Sequence, residues 1–262
     1  MRAKRSLSQN FLTNPTIAVR IADAVAAPLV IEIGPGKGML TEKLLDHASV
    51  LLAVEKDDQL ICVLRERFRD AIASKRLVLI HGDVLDSNFA DYASGDYTVV
   101  GNIPYNITGA LIRHIFSQNV LPTRIVLMVQ KEVAERIVTR NKKESILSLS
   151  VKAYGTPRIL CTVASANFSP QPKVDSAVVV IDSVSRSNFS FVTEAHFFFC
   201  IRAGFHMKRK TVFNNLVFAG YDKENVEFAL KEAKINTQAR PETIRLEEWL
   251  IILRYLNPHT NS

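Results

Sequence analysis

The chain has 262 residues, 47% of them apolar, and a net charge of +7. The length fits one large and one small domain, the apolar content supports a full core, and the charge favours a polyanionic partner. Its three cysteines lack metal-ligand spacing, no apolar run is as long as a membrane span, and no signal peptide follows the basic start. These features predict a protein of the reducing cytoplasm with buried thiols and with no membrane partner.

Short apolar strands alternate with amphipathic helices along the first 140 residues. The predicted strands cover residues 29–33, 50–54, 77–81, 97–100 and 124–129. The predicted helices cover residues 17–26, 37–47, 57–70, 108–119 and 131–140. This alternation predicts a parallel sheet with helices on both faces.

The pattern changes in the last hundred or so residues. Two further strands, 157–163 and 176–181, are joined by a Pro-rich loop and predict a hairpin-like pair at the sheet edge. A polar, Ser-rich stretch at 182–190 reads as a linker. Only helices are predicted after it, at residues 193–203, 208–218, 223–234 and 246–255. The prediction is therefore a Rossmann-like α/β domain with a mostly parallel seven-stranded sheet (1–184), followed by a small all-α domain (185–262).

The ends of the first three strands carry the features of a nucleoside site. Residues 34–38 (Gly-Pro-Gly-Lys-Gly) join the first strand to its helix, and Gly34 and Gly36 let the backbone approach a ligand. Glu55 ends the second strand, where doubly wound folds place an acid that binds ribose hydroxyls. Asp83 follows the third strand and is placed to accept from an adenine amino group. These positions predict an adenosine-containing cofactor.

Two observations favour S-adenosylmethionine over a dinucleotide. The glycine spacing is Gly-x-Gly-x-Gly, whereas the dinucleotide fingerprint is Gly-x-Gly-x-x-Gly. Glu32, in the first strand, would repel a pyrophosphate, whereas the sulfonium and ammonium groups of S-adenosylmethionine tolerate or prefer a nearby carboxylate. The large domain is therefore predicted to have the class I methyltransferase fold.

The segment Asn102-Ile103-Pro104-Tyr105 follows the fourth strand. The exocyclic amino group of a base is a poor nucleophile because its lone pair is delocalised into the ring. The amide oxygen of Asn102 and the backbone carbonyl of Ile103 or Pro104 would each accept one of its hydrogens, while Tyr105 stacks on the base. Alone, the segment is equally consistent with a turn. Its place beside the three other strand ends favours methylation of a base.

Three basic segments point to RNA as the polyanion, since lysine and arginine neutralise phosphates. The first is an arm at residues 2–5, the second lies near residues 136–143, and the third, 208–210, is predicted to open a helix. Each alone is equally consistent with a solvated face, but all three agree with the net charge. The predicted RNA-binding residues are Arg5, Arg136, Arg140, Lys208, Arg209 and Lys210.

Six motifs carry a resemblance to a known family. They cover residues 9–12, 32–38, 82–83, 101–106, 130–136 and 168–176. In this order, and from about residue 4 to residue 253, the chain resembles the KsgA-type ribosomal RNA adenine dimethyltransferases. The resemblance implies dimethylation of two adjacent adenosines near the 3′ end of small-subunit ribosomal RNA, with the small ribosomal subunit as partner.

The resemblance also implies roles for individual residues. It implies cofactor contacts by Asn10, Leu12, Gly34, Glu55, Asp83 and Asn102, to which the glycine loop adds Gly36. It places Phe168 opposite Tyr105, on the other face of the target adenine. The predicted catalytic set is Asn102, Pro104, Tyr105 and Phe168. No metal is predicted, and the protein is expected to act as a monomer.

The chain departs from the family pattern at three places. Ser8 stands where a Gly is frequent, Lys208 replaces an Arg and loses its bidentate fork, and Ile146-Leu147 replaces a Tyr-Gly pair. These departures affect loop shape and RNA contacts. Two other functions stay open: a large-subunit ribosomal RNA adenine dimethyltransferase, and an RNA-binding assembly factor whose methyltransferase activity is not essential. A dinucleotide oxidoreductase is a more distant third.

Overall fold

The structure is a computed structural model that describes residues 10–93, 95–139 and 143–256. Its strands are β1 (Phe11–Leu12), β2 (Leu29–Ile33), β3 (Val50–Glu55), β4 (Leu77–His81), β5 (Tyr97–Asn102), β6 (Arg124–Gln130), β7 (Thr156–Val163), β8 (Phe168–Ser169) and β9 (Ser176–Asp182). Its helices are α1 (Pro15–Ala22), α2 (Met39–Leu44), α3 (Asp58–Arg67), α4 (Arg69–Ala73), α5 (Thr108–Ser117), α6 (Lys131–Ile137), α7 (Ile146–Tyr154), α8 (Glu194–Gly204), α9 (Val212–Phe218), α10 (Lys223–Glu232) and α11 (Leu246–Tyr255).

Seven strands form one sheet in the order β4-β3-β2-β5-β6-β9-β7. The first five in this order are parallel, whereas β9 runs antiparallel to both β6 and β7. Nearly every residue of β2 and β5 is buried, which is typical of strands covered on both faces. The predicted seven-stranded, mostly parallel Rossmann-like sheet and its antiparallel edge pair are confirmed.

The strand order places a ligand crevice between β2 and β5. The chain runs outward from β2 to β4 on one side, then returns to build β5 and β6 on the other. In open α/β sheets, ligands bind beyond the carboxyl ends of the strands at the point where the order reverses. Gly34 directly follows β2 and Asn102 is the last residue of β5. Both residues therefore lie at that point.

The described chain divides into two compact units. One comprises residues 1–134 and 156–184, and the other comprises residues 135–155 and 185–262. The predicted domains, 1–184 and 185–262, differ from this division because residues 135–155 group with the helical unit. Those residues include α7, a helix that the sequence interpretation missed. Ser145 caps α7 through a reciprocal hydrogen-bonded pair with Ser148.

The helical unit has its own core. Phe197 of α8, Leu216 of α9 and Trp249 of α11 are each completely buried. Gly204 leaves room for the Trp249 ring, since a Cβ atom at residue 204 would lie 2.3 Å from that ring. Close helix packing of this kind requires glycine at the contact.

Several predicted boundaries were wrong. The helix predicted over 57–70 is interrupted at Phe68, which separates α3 from α4. The helix predicted over 208–218 begins only at Val212, because the Thr211 side chain caps it by accepting from the Asn214 N–H. The short antiparallel pair of β1 and β8 was not predicted.

Other expectations concern location and cysteine burial. Cys161 and Cys200 are buried, but Cys62 is exposed, contrary to the expectation of buried thiols. Among the helices of the described ranges, we find none that is long and apolar enough to cross a membrane.

Candidate active site

A cavity of about 250 Å³ opens at the carboxyl ends of β2, β3, β4 and β5. Nine of the ten predicted catalytic and cofactor-binding residues line it: Asn10, Leu12, Gly34, Gly36, Glu55, Asp83, Asn102, Pro104 and Tyr105. The sheet thus brings together side chains that are up to 95 positions apart in the chain. All of these residues belong to the first unit.

The glycine loop lines the cavity with backbone in the left-handed conformation. Gly34, Gly36 and Gly38 have φ values of 66°, 59° and 82°, which side chains other than glycine rarely adopt. A Cβ at residue 36 would also lie 3.0 Å from the Phe11 ring. The Gly36 N–H donates to Glu55 Oε2 over 3.1 Å, so the loop is held to the end of β3.

Glu55 is buried at the end of β3 and anchors two backbone segments. Its Oε2 accepts from Gly36, and its Oε1 accepts from the Asp57 N–H at 2.8 Å. Burial raises the pKa of the Glu55 carboxyl, and these backbone hydrogen bonds partly offset the rise. A carboxylate offers about four acceptor sites, so it keeps acceptor capacity for hydroxyl groups in the cavity.

Glu32 is a buried acid in the cavity wall. It is 1% exposed, and its Oε2 has no hydrogen-bond partner among the described residues. Burial raises the pKa of Glu32 to about 8, and the nearby charge of Glu55 adds to the rise. An unsatisfied buried carboxyl is costly without a compensating group, and a cation in the cavity is such a group.

Asp83 also reaches the cavity, but its carboxylate is already engaged. Its Oδ1 accepts from the Leu85 N–H at 3.0 Å, and its Oδ2 accepts from Lys56 Nζ at 2.7 Å. The hydrogen bond from Lys56 is the main reason that the pKa of Asp83 is lowered. Asp83 therefore lines the cavity as a charged acceptor.

The orientation of the Asn102 amide follows from its partner. Asn102 Nδ2 donates to the backbone carbonyl of Asn10 over 3.0 Å, and a carbonyl can only accept. The Oδ1 atom is on the other branch of the amide, and Asn102 is among the residues that line the cavity. No hydrogen bond from a described residue reaches Oδ1, so the cavity has a fixed, available acceptor.

Tyr105 is held by a residue of β9, which lies two strands away from β5 in the sheet. Its hydroxyl hydrogen-bonds the Ser176 hydroxyl at 2.8 Å, and Ser176 is completely buried at the start of β9. This bond fixes the far end of the Tyr105 ring beside the cavity. The motif at 168–176, singled out from the sequence, thereby contributes a residue that positions Tyr105.

Phe168 occupies a different place from the one expected. Its side chain is 4% exposed, packs in the hydrophobic core with Leu12 and Val163, and is not among the residues that line the cavity. The cause is the β1–β8 pair, in which Phe168 lies directly opposite Leu12. With its ring covered in this way, Phe168 offers no free face opposite Tyr105 in this structure.

Some lining residues were not predicted. Phe11 lies against the glycine loop, and the Nζ atom of Lys37 in that loop is 4.8 Å from the centre of the Phe11 ring. Lys56 reaches the cavity through its ion pair with Asp83. Phe11 and Lys37 belong to sequence motifs that also contain predicted cofactor-binding residues. Their position next to those residues in the chain could have identified them as lining residues.

The predicted RNA-binding residues lie in the second unit where the structure describes them. Arg136, Lys208, Arg209 and Lys210 are exposed, and Arg5 and Arg140 lie outside the described residues. Lys208 to Lys210 are in the loop before α9, not in the helix. Within the described ranges, no group of three or more His, Cys, Asp or Glu side chains is arranged to hold a metal ion.

Comparison with known proteins places the whole chain in one family. The family described as ribosomal RNA adenine dimethylase matches residues 1–258. A ribosomal RNA small subunit methyltransferase A from Dehalococcoides mccartyi is 38% identical over 96% of this chain and 88% of its own. Its namesake from Geobacter metallireducens is 35% identical over 97% of this chain and 95% of its own.

Two solved structures share the fold over most of their length. The 23S rRNA methyltransferase ErmE superposes with a TM-score of 0.77 at 25% identity, covering 94% of this chain and 99% of that one. A dimethyladenosine transferase from Plasmodium falciparum gives a TM-score of 0.76 at 27% identity, covering 92% and 95%. With its cavity at the strand ends and a family match along nearly its full length, the chain belongs to the ribosomal RNA adenine dimethylase family.

Proposed function

We propose that the protein transfers methyl groups from S-adenosylmethionine to the exocyclic amino groups of two adjacent adenosines near the 3′ end of small-subunit ribosomal RNA. The observation that carries this proposal is the Asn102 amide at the cavity, whose nitrogen is held by Asn10 and whose oxygen accepts from no described residue. The small-subunit names of the relatives support this RNA as the substrate.

The residues of the cavity fit S-adenosylmethionine as the methyl donor. The unpartnered Oε2 of Glu32 suits a positively charged group, and Glu55 retains acceptor sites for ribose hydroxyls. Asp83 lines the same cavity as a charged acceptor and suits an adenine amino group. When bound, this cofactor supplies an electrophilic methyl group on a sulfonium.

The protein contributes mainly positioning. Asn102 Oδ1 and the carbonyl of Ile103 or Pro104 would each accept one hydrogen of the adenine amino group, which localises its lone pair. The Pro104 carbonyl already accepts from the Ile107 N–H at 3.1 Å, so one of its two lone pairs is left for the base. Holding two reactants in line can remove several kcal/mol of barrier, and a fixed acceptor stabilises charge that builds on the nitrogen.

Dimethylation sets a further requirement on the same acceptors. The first transfer makes the amino group cationic and acidic, so it releases a proton to solvent and keeps a single N–H, and one of its two acceptors becomes dispensable. The backbone carbonyl is the one to lose its bond, because the Asn102 oxygen is held in place by the Asn10 contact. The second methyl transfer then uses the same cavity.

Stacking of the target base is proposed for Tyr105, whose ring is anchored by Ser176. Base stacking on an aromatic side chain contributes roughly 1–3 kcal/mol. Phe168 would join as the opposing ring only if it left the core that now covers it, so its stacking remains a proposal.

A substrate-choice assay tests the proposal. The protein is mixed with S-adenosylmethionine labelled in its methyl group and with unmethylated small subunits, large subunits or naked ribosomal RNA. We expect label in dimethyladenosine of the small subunit only, and its loss in Asn102→Ala. Label confined to large subunits would favour the large-subunit alternative. Binding to small subunits without any label would favour a non-catalytic assembly factor.

A further inference from the structure

The second unit carries an exposed aromatic pair outside its core. Phe218, the last residue of α9, is 66% exposed, the highest value for a large apolar side chain among the described residues. The exposed ring of His206 lies nearly parallel to it, with an interplanar angle of 13° and ring centres 5.6 Å apart. A single exposed Phe needs no explanation, but two exposed, nearly parallel rings offer flat faces to a planar ligand.

The loop that carries His206 is held in place by a buried amide. Asn215 is completely buried; its Nδ2 donates to the Gly204 carbonyl at 2.6 Å, and its Oδ1 accepts from the Met207 N–H at 3.2 Å. The Lys210 N–H in turn donates to the Met207 carbonyl at 3.0 Å. The aromatic pair and the basic residues that follow it therefore form a surface that is in place before any ligand binds, which lowers the entropic cost of binding.

The chain segment that carries the pair has basic and no acidic side chains. Residues 195–221 contain no Asp or Glu. Their four Lys and Arg side chains are exposed, and none of them pairs with an acidic side chain of the described residues; these are Arg202, Lys208, Arg209 and Lys210. Unpaired cations beside flat aromatic faces are the combination that binds single-stranded nucleic acid, in which bases stack and phosphates are neutralised.

We propose that Phe218 and His206 form a stacking platform for an unpaired RNA base, with the Lys208–Lys210 loop holding the adjoining phosphates. This inference rests on the proposed function, because it takes the partner to be RNA. It assigns a nucleotide site in the helical unit, apart from the cavity that receives the target adenosine. A second copy of this chain does not suit the surface, since two such basic faces would repel each other.

Another exposed aromatic residue in the same unit provides a matched control. Phe228 of α10 is 51% exposed, but its ring meets Tyr255 edge-on, at an interplanar angle of 88°. Its helix also carries the exposed acids Glu224 and Glu227. Phe228 thus matches Phe218 in residue type and exposure, while lacking the parallel ring and the basic surroundings.

The test is the dissociation constant of the full chain for unmethylated small ribosomal subunits at fixed salt. We expect Phe218→Ala to weaken binding by about 5-fold to 150-fold, the equivalent of roughly 1–3 kcal/mol for one stacked base. Phe218→Trp should bind as tightly as the unsubstituted protein, and Phe218→Leu should bind as weakly as Phe218→Ala. Phe228→Ala should leave the constant unchanged. Because Phe218 is exposed, these variants should keep the thermal stability of the unsubstituted protein.

Three results would overturn the platform: unchanged binding by Phe218→Ala, tight binding by Phe218→Leu, or an equal loss in Phe228→Ala. Any of them in a protein that still methylates the small subunit leaves the proposed function intact. Failure of the unsubstituted protein to bind small subunits would overturn both proposals.

A crosslinking experiment distinguishes RNA from protein as the partner at this surface. A photoreactive phenylalanine analogue is placed at residue 218, and the protein is irradiated on small subunits. The platform predicts an adduct that ribonuclease shortens to a nucleotide. An adduct that ribonuclease leaves intact and protease removes would show a ribosomal protein at this face and contradict the proposal.

Discussion

In the cavity of the first unit, Asn102 and Glu55 have fixed hydrogen-bond partners, whereas in the second unit Lys208 and Arg209 are exposed and form no ion pair with a described residue. The difference matches two kinds of task. Aligning one lone pair with one methyl group needs atoms that cannot move, while attracting a polyanion needs charges that are free to follow it. We therefore expect substitutions in the cavity to change rates and cofactor affinity, and substitutions in the helical unit to change RNA affinity.

The largest expected effect is at Asn102. Asn102→Ala removes the acceptor that faces the amino group, so the methylation rate should fall by about 100-fold or more, the range seen when a preorganised polar group is lost. The measurement is single-turnover transfer of labelled methyl groups to small subunits. A variant that keeps more than a third of the rate would show that Asn102 does not act on the target base.

Glu55 should come next, through cofactor affinity. In Glu55→Gln the side-chain NH₂ group would face the backbone N–H of either Gly36 or Asp57, two donors that cannot bond each other. The glycine loop would therefore shift, and one acceptor for the ribose hydroxyls would be lost. Hydrogen bonds to charged groups contribute about 1.5–3 kcal/mol, so calorimetry with S-adenosylhomocysteine should show binding weaker by about 10-fold to 150-fold. Asp83→Asn, at a more exposed acid, is the matched control and should weaken binding less. Equal effects would contradict the special place of Glu55.

Glu32 predicts a pH dependence of stability. Its pKa in the folded protein is about 8, raised by burial above the ordinary value of 4.5 for a glutamate. Between these two values the folded state holds a proton that the unfolded state has released, so the free energy of unfolding falls as pH rises through this window. The limiting slope is about 1.4 kcal/mol per pH unit.

The neutral substitution Glu32→Gln isolates this effect. Urea denaturation from pH 5 to pH 9 should show the variant gaining stability relative to the unsubstituted protein as pH rises, with the difference levelling off above about pH 8. A constant difference across this range would mean that Glu32 titrates normally and does not provide an unsatisfied carboxyl in the cavity.

The smallest effect is expected at Ser176, which touches Tyr105 and not the reacting atoms. Ser176→Ala removes a single neutral hydrogen bond, which contributes about 0.5–1.5 kcal/mol, so the methylation rate should fall by roughly 2-fold to 13-fold. Tyr105→Phe removes the other half of the same bond. The double variant should then be no slower than the slower single variant; additive losses would mean that the two hydroxyls act separately.

The sequence was sufficient to predict the strand ends that build the cavity. Strands of a parallel sheet start and stop in register, so Gly34, Glu55, Asp83 and Asn102 could be brought together from chain order alone. The prediction of S-adenosylmethionine as the ligand also rested on local chemistry, since Glu32 in the first strand disfavours a pyrophosphate. Both arguments use only periodicity and charge, which are visible in the residues themselves.

Other features depend on contacts that no local pattern reports. Leu12 pairs with Phe168 across more than 150 positions in strands of two residues each, too short for a periodic signal, so the burial of Phe168 was missed. Helix α7 was missed because its cap is Ser145 with Ser148, whereas the usual signature has Glu or Gln at the later position. The stacking of His206 on Phe218 required the conformation of the loop before α9.

The comparison between the two units is tested most directly by one experiment with two variants. Single-turnover methylation of small subunits, measured at increasing protein concentration, yields a maximal rate and a half-saturating concentration for each variant. We predict that Asn102→Ala lowers the maximal rate about 100-fold or more and leaves the half-saturating concentration unchanged. Phe218→Ala should raise the half-saturating concentration at least about 5-fold and leave the maximal rate unchanged. The reverse pattern, or the same change in both constants for both variants, would contradict a division between chemistry in the cavity and RNA recognition in the helical unit.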